Sequence, residues 1–217
     1  DASRINRGRA KYEALRPLLS RVEAETGVPE EIMVAIYGHE TSYGVVTGNY
    51  DLAEALATLA YEGRRRALFT DEFIATLKLM DRGFPRSTLK GSWAGATGYP
   101  QFLPSMYMRV AKDADGDGRA DIWRSEADAL ASIANYFRNA GWRPGLSWGE
   151  GVAVPAGFDR TAVATKLTSP RCPRVHQRHS VWKRVSEWRQ LGLVPNGTRL
   201  RDTDMASYFE PDGPGTP

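Results

Sequence analysis

The sequence predicts a mainly α-helical (α+β) protein with a small mixed α/β lobe at its C-terminal end. Apolar residues recur at three- and four-residue intervals through most of residues 1–140, whereas glycine, proline and tryptophan recur without a helical period beyond Gly141. The 217 residues, 41% hydrophobic and 25% charged, suffice for one large domain or for a core with a lobe, and they exclude disordered and collagen-like classes. No apolar run approaches the roughly 18 residues of a membrane-spanning helix.

Six helices are predicted in the first part of the chain. Residues 7–26 carry apolar side chains at helical spacing and stop at Gly27, and Pro29 then opens a second helix over residues 29–41 with acids in its first turn. The other four are predicted over residues 51–61, 70–81, 104–112 and 125–139. Residues 90–102 are rich in glycine and small polar residues, which predicts a surface loop or a short hairpin.

The C-terminal lobe has a different pattern. Residues 152–154 predict a short strand and residues 181–191 a helix, and we place the boundary near residue 150, between a core of residues 1–150 and a lobe of residues 151–217. Residues 159–201 contain ten Lys and Arg against two acids, a net charge of +8 in a chain whose net charge is +3. Such a segment favours an anionic polymer or surface, although charge alone is equally compatible with a solvated face.

Glu40 is the first candidate catalytic residue. It follows Ile36 by four positions and Tyr37 by three, so it shares a helix face with apolar and aromatic neighbours. It also lies in the last helical turn before Gly44, where the negative end of the helix dipole and partial burial both favour a protonated carboxyl. A carboxyl that keeps its proton near neutral pH suits a general acid. The alternative is a surface glutamate on an amphipathic helix.

Four segments along the chain carry a family resemblance. They are VAIYGHETSYG at residues 34–44, ALATLAY at 55–61 followed by arginines at 64–66, KGSWAGATGYPQFLPS at 90–105 and ASIANYFRNAGW at 131–142. In this order they resemble the membrane-bound lytic murein transglycosylase B family, glycoside hydrolase family 103, and the resemblance covers residues 4–210. It implies a lysozyme-like fold and non-hydrolytic cleavage of the β-1,4 bond between N-acetylmuramic acid and N-acetylglucosamine in peptidoglycan.

The resemblance assigns the chemistry to Glu40 alone. Glu40 would protonate the leaving oxygen and then accept the proton of the muramyl C6 hydroxyl, which closes onto C1 and gives a 1,6-anhydro product. A conventional glycosidase instead uses two carboxylates about 5 Å or about 6.5–9.5 Å apart, and no second acid stands out in the four segments. Two alternatives stay open: a muramidase that hydrolyses the same bond, and a catalytically weak peptidoglycan-binding module.

The resemblance also implies a set of groove residues whose hydroxyl, amide, phenol or guanidinium groups suit a sugar or a carboxylate. They are Ser92, Gln101, Tyr136, Arg65 and Arg66. Tyr99 and Tyr43 are further candidates for stacking on a sugar, with packing in the core as the alternative. For Arg65 and Arg66 the alternative is a solvated helix end.

Residues 113–124, DADGDGRADIWR, match the opening of an EF-hand calcium loop, with carboxylates at positions 1, 3 and 5 and a glycine at position 6. The match fails at position 12, where Arg124 stands in place of the bidentate glutamate, and the resemblance assigns the closing ligand to the next helix. The predicted ligands within residues 113–128 are Asp113, Asp115, Asp117, the carbonyl of Arg119, and Asp128. A solvated acidic turn is the alternative. We expect calcium to stabilise the core, and we expect no organic cofactor.

The expected partner is the glycan strand of peptidoglycan, bound by a monomer in the bacterial periplasm, and no nucleic acid is expected. Association with the outer membrane, peripheral or through a lipid anchor, would depend on residues outside this sequence. Family members carry further groove residues before Asp1 and after Pro217, so we expect the lobe of residues 151–217 to be incomplete relative to the family pattern.

Overall fold

A computed structural model describes residues 2–169, 176–211 and 213. The chain divides into two compact units, Asp1–Pro144 and Gly145–Pro217. The first unit is mainly helical, and its helices and strands are α1 (Ala2–Thr26), α2 (Glu30–Thr41), β1 (Tyr50–Asp51), α3 (Leu52–Glu62), α4 (Arg66–Asp81), β2 (Lys90–Gly91), α5 (Pro104–Val110) and α6 (Glu126–Asn139). None of the helices in the described part of the chain has both the length and the apolar character needed to cross a bilayer.

The six predicted helices are confirmed, and the differences lie at their ends. α1 and α4 begin earlier than predicted, at Ala2 and Arg66. The starts of α3 and α6 agree with the pattern because polar side chains cap them: Asp51 accepts a hydrogen bond from the Glu54 amide and Ser125 accepts one from the Asp128 amide.

Two apolar clusters hold the first unit together. The first joins α1, α2 and α6 through residues with almost no exposed surface, namely Leu19, Val22, Met33, Tyr37, Leu130 and Ile133. The second joins α3, α4, α5 and the loops beside them through Leu52, Leu56, Leu79, Leu89, Tyr107 and Ile122. Phe102 packs against both clusters. The segment before α5 is therefore anchored where the two clusters meet, which positions one wall of the site described below.

Residues 90–102 form an ordered turn, as their composition predicts. β1 and β2 pair antiparallel, and Thr97 continues the bridging to Gly91 and Phe102. A Cβ atom on Gly91 would lie 2.2 Å from the carbonyl oxygen of Ala96, so the chain can approach itself here only through a glycine. Thr97 is fully buried, and its hydroxyl accepts a hydrogen bond from the Trp123 indole.

The second unit is small and mixed. It contains β3 (Val152–Ala153), α7 (Arg160–Val163), β4 (His179–Arg184), α8 (Val185–Gln190), β5 (Val194–Pro195) and β6 (Met205–Phe209). β3 pairs antiparallel with β5, and β4 pairs antiparallel with β6. Val163, Trp188 and Leu193 form its buried cluster.

The helix predicted over residues 181–191 is wrong in its first part. Val181 and Trp182 belong to β4, and only α8 is helical. Trp182 pairs with Ser207 and Lys183 with Ala206, both on β6. Branched and aromatic side chains suit a strand once a partner strand is present, and that partner lies more than twenty residues further along the chain. The strand predicted at residues 152–154 is confirmed as β3.

Asp51 joins the cap of α3 to an ion-pair cluster, and its stability contribution should depend on pH. The carboxylate accepts a hydrogen bond from Arg86 Nε at 2.8 Å and lies 3.7 Å from Lys90 Nζ. The bond from Arg86 holds the pKa of Asp51 below its ordinary value. We expect Asp51→Asn to lower the free energy of unfolding by about 1 kcal/mol at neutral pH, because the cap remains and only the charge interaction with a partly exposed arginine is lost.

The direction of the pH dependence follows from the lowered pKa of Asp51. The stabilisation is complete above the pKa of Asp51 in the unfolded chain and disappears as the pH falls through the lower pKa of the folded protein. Thermal unfolding of wild type and Asp51→Asn between pH 7 and pH 2 measures this loss, with Asp71→Asn on the exposed face of α4 as the control. A difference in Tm that did not change with pH would contradict the charge mechanism.

Candidate active site

A groove of about 510 Å³ opens on the surface of the first unit. α2 contributes Ile36 and Glu40 to its lining, α4 contributes Glu72, the segment before α5 contributes Gln101, and α6 contributes Tyr136. Three of the residues predicted for the site, Glu40, Gln101 and Tyr136, therefore come together although they are separated by up to about a hundred positions in the sequence.

Glu40 lies on the groove face of α2 and is exposed. The partial burial that we predicted for it is wrong, because the buried stripe of α2 runs along the neighbouring face, through Met33, Val34, Tyr37, Gly38 and Thr41. Glu40 instead lies on the same helix face as Ile36, one turn away, and that face lines the groove. The carboxyl thus meets solvent and any bound ligand directly, beside an apolar side chain.

Gln101 and Tyr136 supply the polar and aromatic surfaces next to Glu40. The Gln101 side chain donates from Nε2 to the carbonyl oxygens of Thr47, at 3.1 Å, and Gly98, at 3.0 Å. Its backbone has a positive φ of 51°, a strained conformation for a residue other than glycine. Because Nε2 is the donor in both hydrogen bonds, Oε1 is the atom of this amide that can accept a hydrogen bond from a ligand. The Tyr136 ring is 36% exposed and lies 5.9 Å from the Phe102 ring, which suits stacking on a sugar.

Glu72 is a second carboxyl in the groove lining that the sequence reasoning missed. It is only 3% exposed. Its Oε2 accepts a hydrogen bond from the Ser105 amide at 2.8 Å, and its Oε1 accepts one from the Ser105 hydroxyl at 2.6 Å. Both oxygens are therefore used to hold the start of α5. A signal existed, since Glu72 recurs with Ala75, Thr76 and Leu79 along the buried face of α4.

This clamp predicts a stability effect. Glu72→Ala leaves the amide and hydroxyl of Ser105 without their acceptor in a largely buried place, which should lower the free energy of unfolding by about 1–3 kcal/mol. Glu72→Gln keeps an acceptor and should cost less. Urea unfolding of both variants tests the clamp, with Asp71→Ala, an exposed neighbour on α4, as the matched control. Equal stability of Glu72→Ala and wild type would show that the two bonds contribute nothing.

Three predicted groove residues do not line this groove. Ser92 closes the tight turn of residues 92–96, where its hydroxyl accepts from the Ala96 amide at 3.1 Å. Arg65 precedes α4 and is exposed. Arg66 donates to the carbonyl oxygen of Tyr61 at 3.2 Å. For both arginines this geometry favours the solvated helix end that we gave as the alternative.

Tyr43 and Tyr99 pack in the first apolar cluster, which favours the packing alternative over stacking on a sugar. The Tyr37 ring lies 5.7 Å from Tyr43 and 5.4 Å from Tyr99. Tyr43 fills a space that a Cβ atom at Gly8 or Gly38 would occupy, so it joins α1 to α2. Burial raises the pKa of Tyr99.

The loop of residues 113–124 brings three of the predicted metal ligands together. Asp113, Asp115 and Asp117 are exposed, and each offers a carboxylate oxygen such that these oxygens lie within 4.8 Å of one another. Asp113 also accepts from the amides of Gly116, at 2.7 Å, and Gly118, at 2.8 Å, which curls the loop around the cluster. Oxygen ligands of this kind suit a hard cation such as Ca²⁺ and fit poorly with zinc.

The two other predicted ligands, Asp128 and the carbonyl of Arg119, accept hydrogen bonds from backbone amides of the same loop. The Asp128 carboxyl is fully buried and accepts from the amides of Ala114, at 2.8 Å, and Asp121, at 2.7 Å. Burial raises its pKa, against the opposing effect of hydrogen bonds from the backbone. Arg119 lays its guanidinium over the Phe84 ring at 4.8 Å, and its carbonyl accepts from the Asp121 amide. Their roles as metal ligands stay predictions.

Comparisons with known proteins show the family of this chain. Residues 1–217 match the family model described as a transglycosylase SLT domain. The chain belongs to this transglycosylase family. The Escherichia coli membrane-bound lytic murein transglycosylase B is 42% identical to it over 147 residues, 64% of this chain and 40% of the relative.

Solved structures extend the likeness to nearly the whole chain. SltB3 from Pseudomonas aeruginosa, solved in complex with NAG-NAM-pentapeptide, matches with a TM-score of 0.84 and 38% identity over 99% of this chain and 55% of SltB3. The Escherichia coli lytic transglycosylase SLT35 in complex with calcium matches with a TM-score of 0.71 and 31% identity over 95% of this chain and 61% of SLT35. The mainly helical fold is thus that of the lytic transglycosylases, and the chain spans about half the length of these relatives.

Proposed function

We propose that this transglycosylase-family chain is a lytic transglycosylase that cleaves the β-1,4 bond between N-acetylmuramic acid and N-acetylglucosamine without water. The observation that carries the proposal is the groove itself: one exposed carboxyl, Glu40, stands beside an amide acceptor and an exposed tyrosine ring. The two Escherichia coli relatives are named as lytic transglycosylases, and SltB3 was solved with NAG-NAM-pentapeptide and with NAG-anhNAM-pentapeptide.

The reaction needs one group that first gives and then takes a proton. The Glu40 carboxyl protonates the glycosidic oxygen as the bond from C1 to that oxygen breaks. The C6 hydroxyl of the muramyl residue then bonds to C1, and its proton passes to the Glu40 carboxylate. Glu40 ends protonated, ready for the next turnover, and the product carries a 1,6-anhydro ring. Gln101 and Tyr136 orient the sugar by an accepted hydrogen bond and by stacking.

The surroundings of Glu72 argue against the hydrolytic alternative. An inverting or retaining glycosidase needs a second carboxylate that is free to activate water or to attack C1. Glu72 is the other acid in the described groove lining, but it is buried and both its oxygens accept hydrogen bonds from Ser105. The groove therefore offers one carboxyl for chemistry.

Product analysis tests the proposal. Purified sacculi are digested with the chain, and the soluble muropeptides are analysed by mass spectrometry. Lytic cleavage gives ends that are one water lighter than hydrolysed ends. Products with reducing N-acetylmuramic acid ends would instead assign a muramidase, and binding to sacculi without release of products would assign a binding module.

The accompanying proposals concern the metal and the compartment. We propose that residues 113–128 form an EF-hand-like site in which Asp113, Asp115 and Asp117 hold Ca²⁺ with Asp128 and the Arg119 carbonyl as further ligands. The exposed carboxylate cluster supports this site, as does the relative solved with calcium. The ion would stabilise the loop before α6. We propose a monomer that acts on peptidoglycan in the periplasm and that uses its C-terminal unit as a basic lobe.

A further inference from the structure

Arg109 is the cationic side chain of the groove. It lies in the last turn of α5, is exposed, and lines the same groove as Glu40. Among the described residues of that lining it alone carries a positive charge, whereas the two carboxyls belong to Glu40 and Glu72. No motif in the sequence indicates Arg109, because α5 is predicted from its helical spacing alone.

The donors of Arg109 are almost unused. Its Nη2 donates a hydrogen bond to the sulfur of Met106 at 3.4 Å, and a thioether is a weak acceptor. Within residues 2–169 and 176–211 no carboxylate oxygen lies within salt-bridge distance of its guanidinium. The Glu72 carboxyl, the buried acid of the groove lining, instead accepts its hydrogen bonds from Ser105. A guanidinium carries five N–H donors in a planar fork that matches a carboxylate.

The helix that carries Arg109 is held at both ends. The Glu72 clamp fixes its start at Ser105. Tyr107 and Val110 are buried, and the Tyr107 hydroxyl donates to the carbonyl oxygen of Ala120 at 2.8 Å. The Cα of Arg109 is therefore fixed in the groove wall while its side chain stays free. The fixed backbone lowers the entropic cost of binding an anion, because only the side chain of Arg109 is then left to be ordered.

We propose that Arg109 forms a carboxylate subsite of the groove, which binds an acidic group of peptidoglycan. The inference rests on the proposed function, because that function brings a polymer with carboxylates into this groove. Two sources carry the same chemistry: the peptide attached to the muramyl residue, and the lactyl group itself where the peptide has been removed. Arg65 and Arg66, which the sequence predicted for this role, do not line the groove. The subsite would favour charged peptidoglycan over an uncharged N-acetylglucosamine oligomer.

Binding calorimetry in a Glu40→Gln background tests the subsite, because the ligand then stays intact. The ligands are a peptide-bearing tetrasaccharide of peptidoglycan, the same glycan with its peptide removed, and chitotetraose. Arg109→Gln should weaken binding of a carboxylate-bearing glycan about ten-fold, which corresponds to about 1.4 kcal/mol, and should leave chitotetraose unchanged. Arg109→Lys keeps the charge but loses the fork, so it should restore part of the affinity. Arg9→Gln, an exposed arginine on α1, is the matched control.

Each outcome decides the proposal. A loss confined to the peptide-bearing ligand supports the subsite and assigns it to the peptide, and a loss confined to the peptide-free glycan supports it and assigns it to the lactyl group. Equal loss for chitotetraose, or no loss for any ligand, overturns it. The binding experiment measures no turnover. If the chain formed no anhydro products, that would refute the proposed function, but the effect of Arg109→Gln on binding could still be interpreted.

Discussion

Replacing Glu40 with glutamine is expected to lower the rate of peptidoglycan cleavage by about 10²–10⁴-fold, the usual contribution of a positioned proton donor and acceptor. The amide keeps the shape of the side chain but can neither give a proton to the glycosidic oxygen nor take one from the C6 hydroxyl. Because Glu40 is exposed, the change should alter the free energy of unfolding by less than about 0.5 kcal/mol. The release of soluble muropeptides from sacculi measures the rate, and thermal unfolding confirms the fold.

The matched control lies on the same helix. Glu31→Gln alters an exposed glutamate in the first turn of α2, outside the groove, and should retain full activity. Full activity of Glu40→Gln would remove Glu40 from the chemistry. Loss of activity in Glu72→Gln while its fold and binding are retained would support a two-carboxylate hydrolysis and contradict the single-carboxyl scheme.

Calcium is expected to raise the melting temperature of the chain. An ion that binds the folded state alone stabilises it by about 2.7 kcal/mol at a concentration of 100 times its Kd. The physical reason is repulsion: Asp113, Asp115 and Asp117 hold carboxylate oxygens within 4.8 Å of one another, and a divalent cation removes that repulsion. Calorimetry after treatment with a chelator, and again after adding Ca²⁺, measures the shift.

Two controls separate a site from general ionic effects. The double variant Asp113→Asn, Asp117→Asn should lose the response to calcium, whereas Asp71→Asn, which changes an exposed acid on α4, should keep it. Magnesium should stabilise less than calcium, because it demands a tighter octahedral shell and loses its waters reluctantly. A melting temperature that changed neither with the chelator nor with added calcium would show that the loop is a solvated acidic turn.

Local patterns in the sequence were sufficient for the helices and for part of the site. Periodicity, caps and the Pro29 start depend on neighbours within a few positions, so the six helices of the first unit follow from them. The acidic cluster could also be predicted, since its three carboxylates alternate within one loop. The resemblance then placed Glu40, Gln101 and Tyr136, which the fold brings into one groove.

Contacts between distant segments decided the rest. β4 forms because β6 pairs with it, and no local signal over residues 181–184 outweighed helical spacing. The exposure of Glu40, the burial of Glu72 and the place of Arg109 depend on how α2, α4, α5 and α6 surround the groove. The sequence by itself determined which helices form in the first unit, and it singled out Glu40 as the candidate proton donor. Only the tertiary structure decided that Glu72 is held by Ser105 while Arg109 is left free, because burial and hydrogen-bond partners are properties of the packed chain.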